Sequence, residues 1–272
     1  MSGSTRARFA EVVRAPTVDL ALACVLVGGE VQADLEVDRA LAELDALALS
    51  ARPYVPRGCP PAAAAEGLRV ALGERAGFGG SGGDYTDVRS SLLHEVVRRR
   101  RGLPLTLSIL WVEVARRLGV QADPVALPGH VVVRIGEQFL DPFEGGRVLD
   151  LDDLSARVRS VTGAPLRTEH LEPAEPLELL LRLLTNVRVL AARQDRTLEG
   201  HRMRLWAVEL SLLLPRHPVE LRRERGELLV RLGDFPGGAQ ELEHYAEVVE
   251  DADPAAAEHA LREARLSRAR LN

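Results

Sequence analysis

The sequence predicts an α+β domain followed by an all-helical domain, and three observations lead to this prediction. As far as Leu118, most segments have apolar residues that recur at helical spacing. Two strand-like runs follow, His130–Ile135 and Gln138–Asp141, and we interpret Gly136-Glu137 between them as a hairpin turn. The composition changes near Gly163, and the long segments beyond that point all have helical periodicity.

The helices predicted for the first domain are bounded by capping residues, glycine or proline. Thr17 or Asp19 is expected to cap a helix that stops at Gly28-Gly29. Further helices are predicted at about 37–48, 62–73, 90–100 and 105–118. The glycine-rich stretch 77–83 is expected to form a loop. Pro142 then ends the second strand or confines it to a sheet edge. We expect the helices of this domain to pack on the small antiparallel sheet.

The domain limits follow from the polar, proline-containing stretch that begins at Gly163. We predict that residues 1–162 form the α+β domain, residues 163–176 a linker and residues 177–272 an all-helical domain. The leucine-rich helices of this last part are expected at about 176–193, 197–214, 218–232, 235–249 and 254–270. Paired helices of this length with short turns are typical of a helical repeat.

One of these helix pairs resembles a tetratricopeptide repeat. The positions that fit the repeat pattern are Gly226, Leu229, Gly233, Asp234, Phe235, Ala239, Leu242 and Tyr245. The segment around Trp206, Leu210 and Pro215 fits the end of another repeat. Because stacked helix pairs offer groove surface, we expect a protein partner to bind through the C-terminal helices.

The composition excludes several chemistries. All 35 basic residues among the 272 are arginine, because lysine is absent, which rules out Schiff-base chemistry, Walker A phosphate binding and a lysine general base. A net charge of −5 gives no electrostatic reason to expect nucleic-acid binding. The two cysteines, Cys24 and Cys59, cannot supply a thiolate zinc site and do not suggest a disulfide framework. We therefore expect neither a metal ion nor a cofactor.

The sequence contains no recognisable targeting segment. Residues 1–8 are polar and lack the apolar stretch of a secretory signal. The longest apolar run, around residues 20–27, is far shorter than the ~20 residues that span a bilayer. We therefore expect a cytoplasmic protein that does not bind membranes.

Two local motifs in the first domain resemble binding sites, but a structural role is favoured for each. Gly77-x-Gly79-x-x-Gly82 matches the dinucleotide fingerprint, but a helix is predicted before it where a strand is required. A flexible loop is therefore favoured over a nucleotide site. Residues 98–101 are four consecutive arginines at a helix end, where positive charge is favoured by the helix dipole. A solvated face is the expected role, and a small-anion site is the alternative.

Two acidic or histidine-containing motifs also fail as metal sites. His94-Glu95 resembles the start of a zincin motif, but the second histidine position holds Arg98. Asp150, Asp152 and Asp153 lack the spacing of a calcium loop. They are expected to cap a helix near residues 152–160.

His130 and Asp141 form a constellation whose geometry can be calculated. If Gly136-Glu137 is a two-residue turn, paired residues have numbers that sum to 273, so His130 lies opposite Phe143. Asp141 is then a diagonal neighbour of His130 on the same face, about 7–8 Å away between Cα atoms. A carboxylate that orients an imidazole provides two members of a nucleophilic triad. The alternative is a structural pair that stabilises the hairpin.

The third member of such a triad is expected at a helix N-terminus, where the helix dipole lowers the pKa of a thiol. The helix that opens at Leu105 is the candidate, but it has no cysteine there. Thr106 and Ser108 lie near this position, although their hydroxyls need a well-placed base. Cys59 lies on a loop that could approach the site, and Cys24 is expected in the core.

Several stretches together resemble the SirB-type transglutaminase-like family over nearly the whole chain. They are residues 91–97 (SLLHEVV), 99–110 (RRRGLPLTLSIL), 128–130 (PGH) and 141–146 (DPFEGG). Gly77, Phe78, Gly79, Gly80 and Tyr85 lie where that family has its loop, and the tetratricopeptide-like tail also matches.

The resemblance implies a papain-like or transglutaminase-like fold, in which a helix-start cysteine, a strand histidine and an aspartate form the triad. His130 matches the histidine, and Asp141 matches the aspartate. The cysteine position falls near residues 104–106, where this sequence departs from the catalytic pattern. The resemblance therefore implies a retained scaffold without its nucleophile, and SirB-type proteins have no well-defined activity to transfer.

Two functions of different class remain open. In the favoured one, the protein is non-catalytic and acts as a regulatory or protein-interaction scaffold. In the alternative, it is a hydrolase or acyl transferase in which His130 is the base and Asp141 orients it, with Thr106, Ser108 or a bound water as the attacking group. A lesser possibility is a fold that binds a small anion near residues 98–101.

Overall fold

A computed structural model describes residues 2–193 and 197–270 of the chain. The chain divides into two compact units, Met1–Leu183 and Leu184–Asn272. The first unit combines helices with one antiparallel sheet, and the described part of the second is helical. The predicted fold class is therefore confirmed.

The first unit is built mainly from helices; no helix is predicted for the first of them, and the others lie close to predicted positions. They are α1 (Ser2–Arg14), α2 (Leu20–Val31), α3 (Val37–Ala51), α4 (Pro61–Leu68), α5 (Leu93–Arg99), α6 (Pro104–Leu118) and α7 (Leu151–Thr162). A π-helical turn, Arg69–Arg75, continues α4. Two 3-10 helices, Gly82–Thr86 and Val88–Ser91, precede α5 and shorten the helix predicted from residue 90. The expected cap of α2 is present, because the carboxylate of Asp19 accepts the Leu22 N–H at 2.9 Å.

The predicted helix stop at Gly28-Gly29 is wrong, because α2 continues to Val31. Gly28 is required inside this helix because the side chain of His94 packs against it. A Cβ at Gly28 would lie 2.3 Å from His94 Nδ1, a distance that no real contact allows. The glycine therefore serves the packing of α5 on α2 rather than ending a helix.

The sheet has four antiparallel strands in the order β1 (Asp123–Leu127), β2 (His130–Ile135), β3 (Gln138–Asp141) and β4 (Arg147–Leu149). Both predicted strands and their two-residue turn are confirmed. Val133 pairs with Leu140, and Ile135 pairs with Gln138, so the residue numbers of each pair sum to 273 as predicted. Strands β1 and β4 had not been predicted, because β1 contains a proline and β4 has only 3 residues, too few to show alternation.

Each face of the sheet packs against different elements. Leu127, Val132 and Phe139 form a buried cluster with Leu154 and Val158 of α7 on one face. Residues that alternate with them along β2 and β3 point to the opposite face, where α6 contacts β1 and β2. This division of faces decides which helix can reach which side chain of the sheet.

The segment predicted as a linker, residues 163–176, includes a 3-10 helix, Thr168–Leu171. It lies along the outer edge of β1, where the Ala174 N–H donates to the Pro124 carbonyl at 2.8 Å. The predicted limits at 1–162, 163–176 and 177–272 stay predictions.

Helix α8 (Pro176–Ala192) contains the boundary between the units, and the described part of the second unit has four further helices. They are α9 (Leu198–Leu213), α10 (Glu220–Arg231), α11 (Phe235–Val249) and α12 (Pro254–Ala269). Small residues let these helices approach closely: a Cβ at Gly238 would lie 2.8 Å from the carbonyl oxygen of Gly226. Asp234 caps α11 by accepting the Gly237 N–H at 3.0 Å. The predicted helix pairs are therefore present.

Candidate functional site

His130 is the first residue of β2 and follows a tight turn. Gly129 in this turn has φ +73°, a conformation that favours glycine, and Leu127 pairs with His130 across it. Because directly paired residues share a face, His130 points to the face of the sheet that α7 covers. The imidazole is largely buried, with 11% of its side chain exposed.

Asp141, the last residue of β3, contacts His130 as the hairpin geometry requires. The Nε2 atom of His130 lies 3.0 Å from each carboxylate oxygen of Asp141. The Phe143 N–H also donates to Asp141 Oδ1 at 3.0 Å. With its proton on Nε2, the ring donates to this carboxylate and leaves Nδ1 as its acceptor. The arrangement can orient an imidazole as a base.

Arg157 of α7 completes the surroundings of Asp141. Its guanidinium lies 2.8 Å from Asp141 Oδ2 and 2.6 Å from Glu144 Oε1. Sequence reasoning missed Arg157, because it lies 16 residues beyond Asp141 on another element and no local motif marks it. The carboxylate of Asp141, which is completely buried, thus has a cationic partner besides His130.

Ser108 is fully buried on α6. Its hydroxyl donates a hydrogen bond to the carbonyl oxygen of Val131 at 3.0 Å. This proton is therefore engaged by the backbone of β2 and not by the ring of His130.

Thr106 points away from the sheet. It lies two residues before Ser108, so its side chain is rotated by about 200° around the helix axis. Because Ser108 faces β2, Thr106 faces the opposite side of α6. The residue is fully buried, and in the described part of the chain its Oγ1 atom has no hydrogen-bond partner. This position does not bring the hydroxyl to His130.

Neither cysteine lies where a nucleophile could attack with His130 as its base. Cys24 is buried in α2, and burial strongly raises the pKa of its thiol. Cys59 lines a cavity of about 290 Å³ together with Ile135 and Gly136. Ile135 and His130 are the two ends of β2, so about 17 Å of strand separates this cavity from the imidazole. Cys59 therefore does not approach His130.

Two aromatic residues extend the site beyond the predicted residues. The Phe143 ring packs edge-on against the His130 ring, with centroids 6.1 Å apart. Tyr85 packs edge-on against Phe143 at 5.7 Å. Burial and, secondarily, the charge of Asp141 raise the pKa of Tyr85. Phe143 could have been found as the residue calculated to lie opposite His130, whereas Tyr85 comes from a distant loop.

The glycine-rich loop is packed beside this site. Gly79 forms a bridge with Arg101, and the Gly80 N–H donates to the Phe143 carbonyl at 2.9 Å. A Cβ at Gly80 would lie 2.0 Å from the Phe143 ring. A π-helical turn precedes the glycines and a 3-10 helix follows, so the strand–turn–helix context of a dinucleotide site is absent from this described segment. Gly80 therefore permits the close packing of this loop on Phe143.

The four consecutive arginines bind groups of their own chain. The contacts are Arg98 with Glu95, Arg99 with Asp87, Arg100 with the Ala76 carbonyl and Arg101 with Asp84. These contacts support a structural role for the run rather than a small-anion site.

Asp150 caps α7, as expected, by accepting the Asp153 N–H at 2.8 Å. Among residues 2–193 and 197–270, no three or more His, Cys, Asp or Glu side chains are placed to hold a metal ion. Over the same described ranges, no helix combines the length and apolar character needed to cross a bilayer.

His94 makes the stability of the first unit sensitive to pH. Burial lowers the pKa of His94, and Glu95 only partly opposes this effect. The unfolded chain takes up a proton near the ordinary pKa of about 6.5, whereas the folded chain resists protonation. The contribution is therefore fully present above this pH and is lost as the pH falls through the lowered pKa of His94. We expect the free energy of unfolding to decrease between about pH 7 and pH 5, where carboxylates do not yet titrate.

Urea unfolding at several pH values measures this dependence. In His94→Gln the slope should be markedly smaller, while His170→Gln should keep the wild-type slope because His170 is only partly buried. Equal slopes in the wild type and in His94→Gln would contradict the assignment.

The comparisons with known proteins agree with this architecture. Residues 38–185 match the transglutaminase-like superfamily, and residues 190–267 match the tetratricopeptide repeat. A UPF0162 protein from Xylella fastidiosa (strain Temecula1) is 35% identical over 186 residues, 65% of this chain and 65% of that protein. The match thus spans 65% of the relative's own length.

Two further relatives match shorter parts of the chain. A UPF0162 protein from Pseudomonas aeruginosa is 37% identical over 106 residues, 38% of this chain and 39% of that protein. F-box only protein 21 from Mus musculus is 35% identical over 69 residues, 25% of this chain and 11% of that protein. Because the superfamily match at residues 38–185 covers more than half of the 272 residues, this protein belongs to the transglutaminase-like superfamily.

Proposed function

We propose that this chain is a non-catalytic, SirB-type member of the superfamily that acts as a regulatory or interaction scaffold and binds a protein partner through its C-terminal helical repeats. One observation carries the non-catalytic part. Within the described residues, the ring of His130 hydrogen-bonds Asp141 and no hydroxyl or thiol. The cytoplasmic location expected from the sequence stays a prediction.

The second unit supports the interaction part. Tetratricopeptide repeats generally mediate protein contacts, and α10 and α12 border a groove of about 450 Å³. Leu242 and Val230 provide apolar lining, and Leu266 of α12 lies in the groove with 67% of its surface exposed. An exposed leucine in a groove can bury apolar surface against a partner, so we take Leu266 as the anchor point.

The test compares partner capture by three variants. His130→Ala removes the imidazole, Leu266→Glu places a charge in the groove, and Val248→Glu places one on α11 outside the residues that line the groove. Val248 is 54% exposed and therefore serves as the matched control. We expect a stoichiometric partner to be retained by His130→Ala and Val248→Glu and lost by Leu266→Glu. Loss of the partner in all three variants, or in none, would contradict the proposal.

A hydrolase or acyl transferase is the second candidate, and the His130–Asp141 contact favours it. Because Ser108 is buried and donates to the Val131 carbonyl, and Thr106 is buried on the side of α6 opposite to Ser108, a bound water is the attacking group that this geometry best accommodates. Hydrolysis of an activated ester, measured for the wild type and for His130→Ala, separates the two functions. Turnover that disappears in His130→Ala would establish the second candidate, and equal background rates would remove it.

A further inference from the structure

A segment of the chain that packs on Phe143, beside His130, has no role in either candidate function. We call residues 79–87 the strap. Phe143 lies between the strap and His130, because its ring packs on His130 at 6.1 Å and on Tyr85 of the strap at 5.7 Å. Gly80 lies against the same ring with no room for a Cβ. The strap therefore holds Phe143 on the imidazole.

Buried and partly buried ion pairs hold the strap in place. Asp84 is 3% exposed and lies 2.9 Å from the Arg101 guanidinium. Its carboxylate also accepts hydrogen bonds from the Ser81 N–H at 2.8 Å and from the Ser90 hydroxyl at 3.2 Å. At the far end of the strap, Asp87 pairs with Arg99 at 2.9 Å.

In the contact between Asp84 and Arg101 both side chains carry a charge. Although burial by itself raises the pKa of Asp84, hydrogen bonds from Arg101 and Ser81 bring it below its ordinary value. The Asp84 carboxylate is thus ionised at neutral pH, and its interaction with Arg101 is charge-assisted. The arginine run therefore acts on the strap as a pair of anchors.

We propose that the strap is a closure over the His130 site, latched by Arg101 on Asp84 and by Arg99 on Asp87, and that releasing the latch exposes the imidazole. This inference does not depend on whether the site is catalytic or on the partner of the repeats. It gives Arg99, Arg101 and the glycine-rich loop one common role, the control of access to His130.

The test measures the reactivity of His130 toward diethyl pyrocarbonate, read at each of the 7 histidines by peptide mass spectrometry. Asp84→Asn keeps the side-chain shape and removes the charge. Losing one charge-assisted hydrogen bond is expected to raise the modification rate of His130 about tenfold. Tyr85→Ala removes the ring that presses on Phe143 and should also raise it. His244 and His259, each about half exposed, serve as internal references.

Glu113→Gln is the matched control, because Glu113 is also a buried carboxylate that pairs with two arginines, Arg116 and Arg117, on α6. It should leave the reactivity of His130 unchanged even where it lowers stability. An unchanged rate in both Asp84→Asn and Tyr85→Ala would overturn the proposal. So would an equal increase in Glu113→Gln, since it would trace exposure to general destabilisation.

Discussion

Replacing Asp141 by alanine is expected to lower the free energy of unfolding by about 3–5 kcal/mol, the cost typical of removing one partner from a buried ion pair. Asp141 is completely buried and contacts His130, Arg157 and the backbone of Phe143. Its loss leaves the His130 ring and the Phe143 amide without their acceptor, and it leaves Glu144 as the remaining carboxylate partner of Arg157. The chain has 2 tryptophans, so the fluorescence of Trp111 in a Trp206→Phe background reports urea unfolding of the first unit.

Two further variants test whether the loss of stability in Asp141→Ala comes from the buried ion pair. Asp38→Ala removes a carboxylate whose side chain is 94% exposed and should change the free energy of unfolding by about 0.5 kcal/mol or less. Asp141→Ala combined with Arg157→Ala should cost less than the sum of the two single variants, because the unpaired charge is removed together with its partner. A loss below about 1 kcal/mol for Asp141→Ala would contradict a structural ion cluster, because breaking a buried pair costs more.

Replacing Gly73 by alanine is expected to destabilise the first unit by about 3 kcal/mol, the upper end of the cost of overpacking. Its Cβ would lie 2.0 Å from the carbonyl oxygen of Gly145, and a backbone atom cannot rotate aside as a side chain can. Gly145 belongs to the turn that follows Asp141 and Phe143, with φ +66°. The variant should therefore also broaden the NMR signals of the His130 ring.

Gly82→Ala is the control for this prediction. No atom lies within 4 Å of a Cβ at Gly82, and its φ is not in the left-handed region. We expect a change within about 0.5 kcal/mol, as for an ordinary surface substitution. Equal stability of the Gly73→Ala and Gly82→Ala variants would show that the turn yields to the added methyl group.

The register of the hairpin is the part of the site that sequence reasoning could calculate. A two-residue turn and strict alternation determine which residues share a face, so His130 and Asp141 were expected to be neighbours. The carboxylate and imidazole in fact meet at 3.0 Å, because His130 lies at the end of its strand and Asp141 at the end of the next. The sequence spacing is sufficient to predict that His130 and Asp141 are neighbours because the chain between them is short.

The roles of Thr106 and Ser108 show the limit of such reasoning. Their positions near the start of α6 follow from the sequence, but the face of the helix that meets the sheet depends on how the helix packs. Their part as attacking groups stays a prediction, and the hydrogen bond of Ser108 to Val131 does not favour it. Gly28 is a similar case, since only the position of His94 explains a glycine within a continuing helix.

The amino-acid sequence by itself determined the α+β and helical-repeat classes, the hairpin register and the absence of a cysteine at the start of α6. These features depend on periodicity, turn chemistry and composition, which can be read along the chain without knowing how distant segments pack. The tertiary structure alone decided that Arg157 pairs with Asp141, that Tyr85 packs on Phe143 and that Arg101 pairs with Asp84. These contacts join residues that are distant in the chain, and only the packing of several elements at once brings them together.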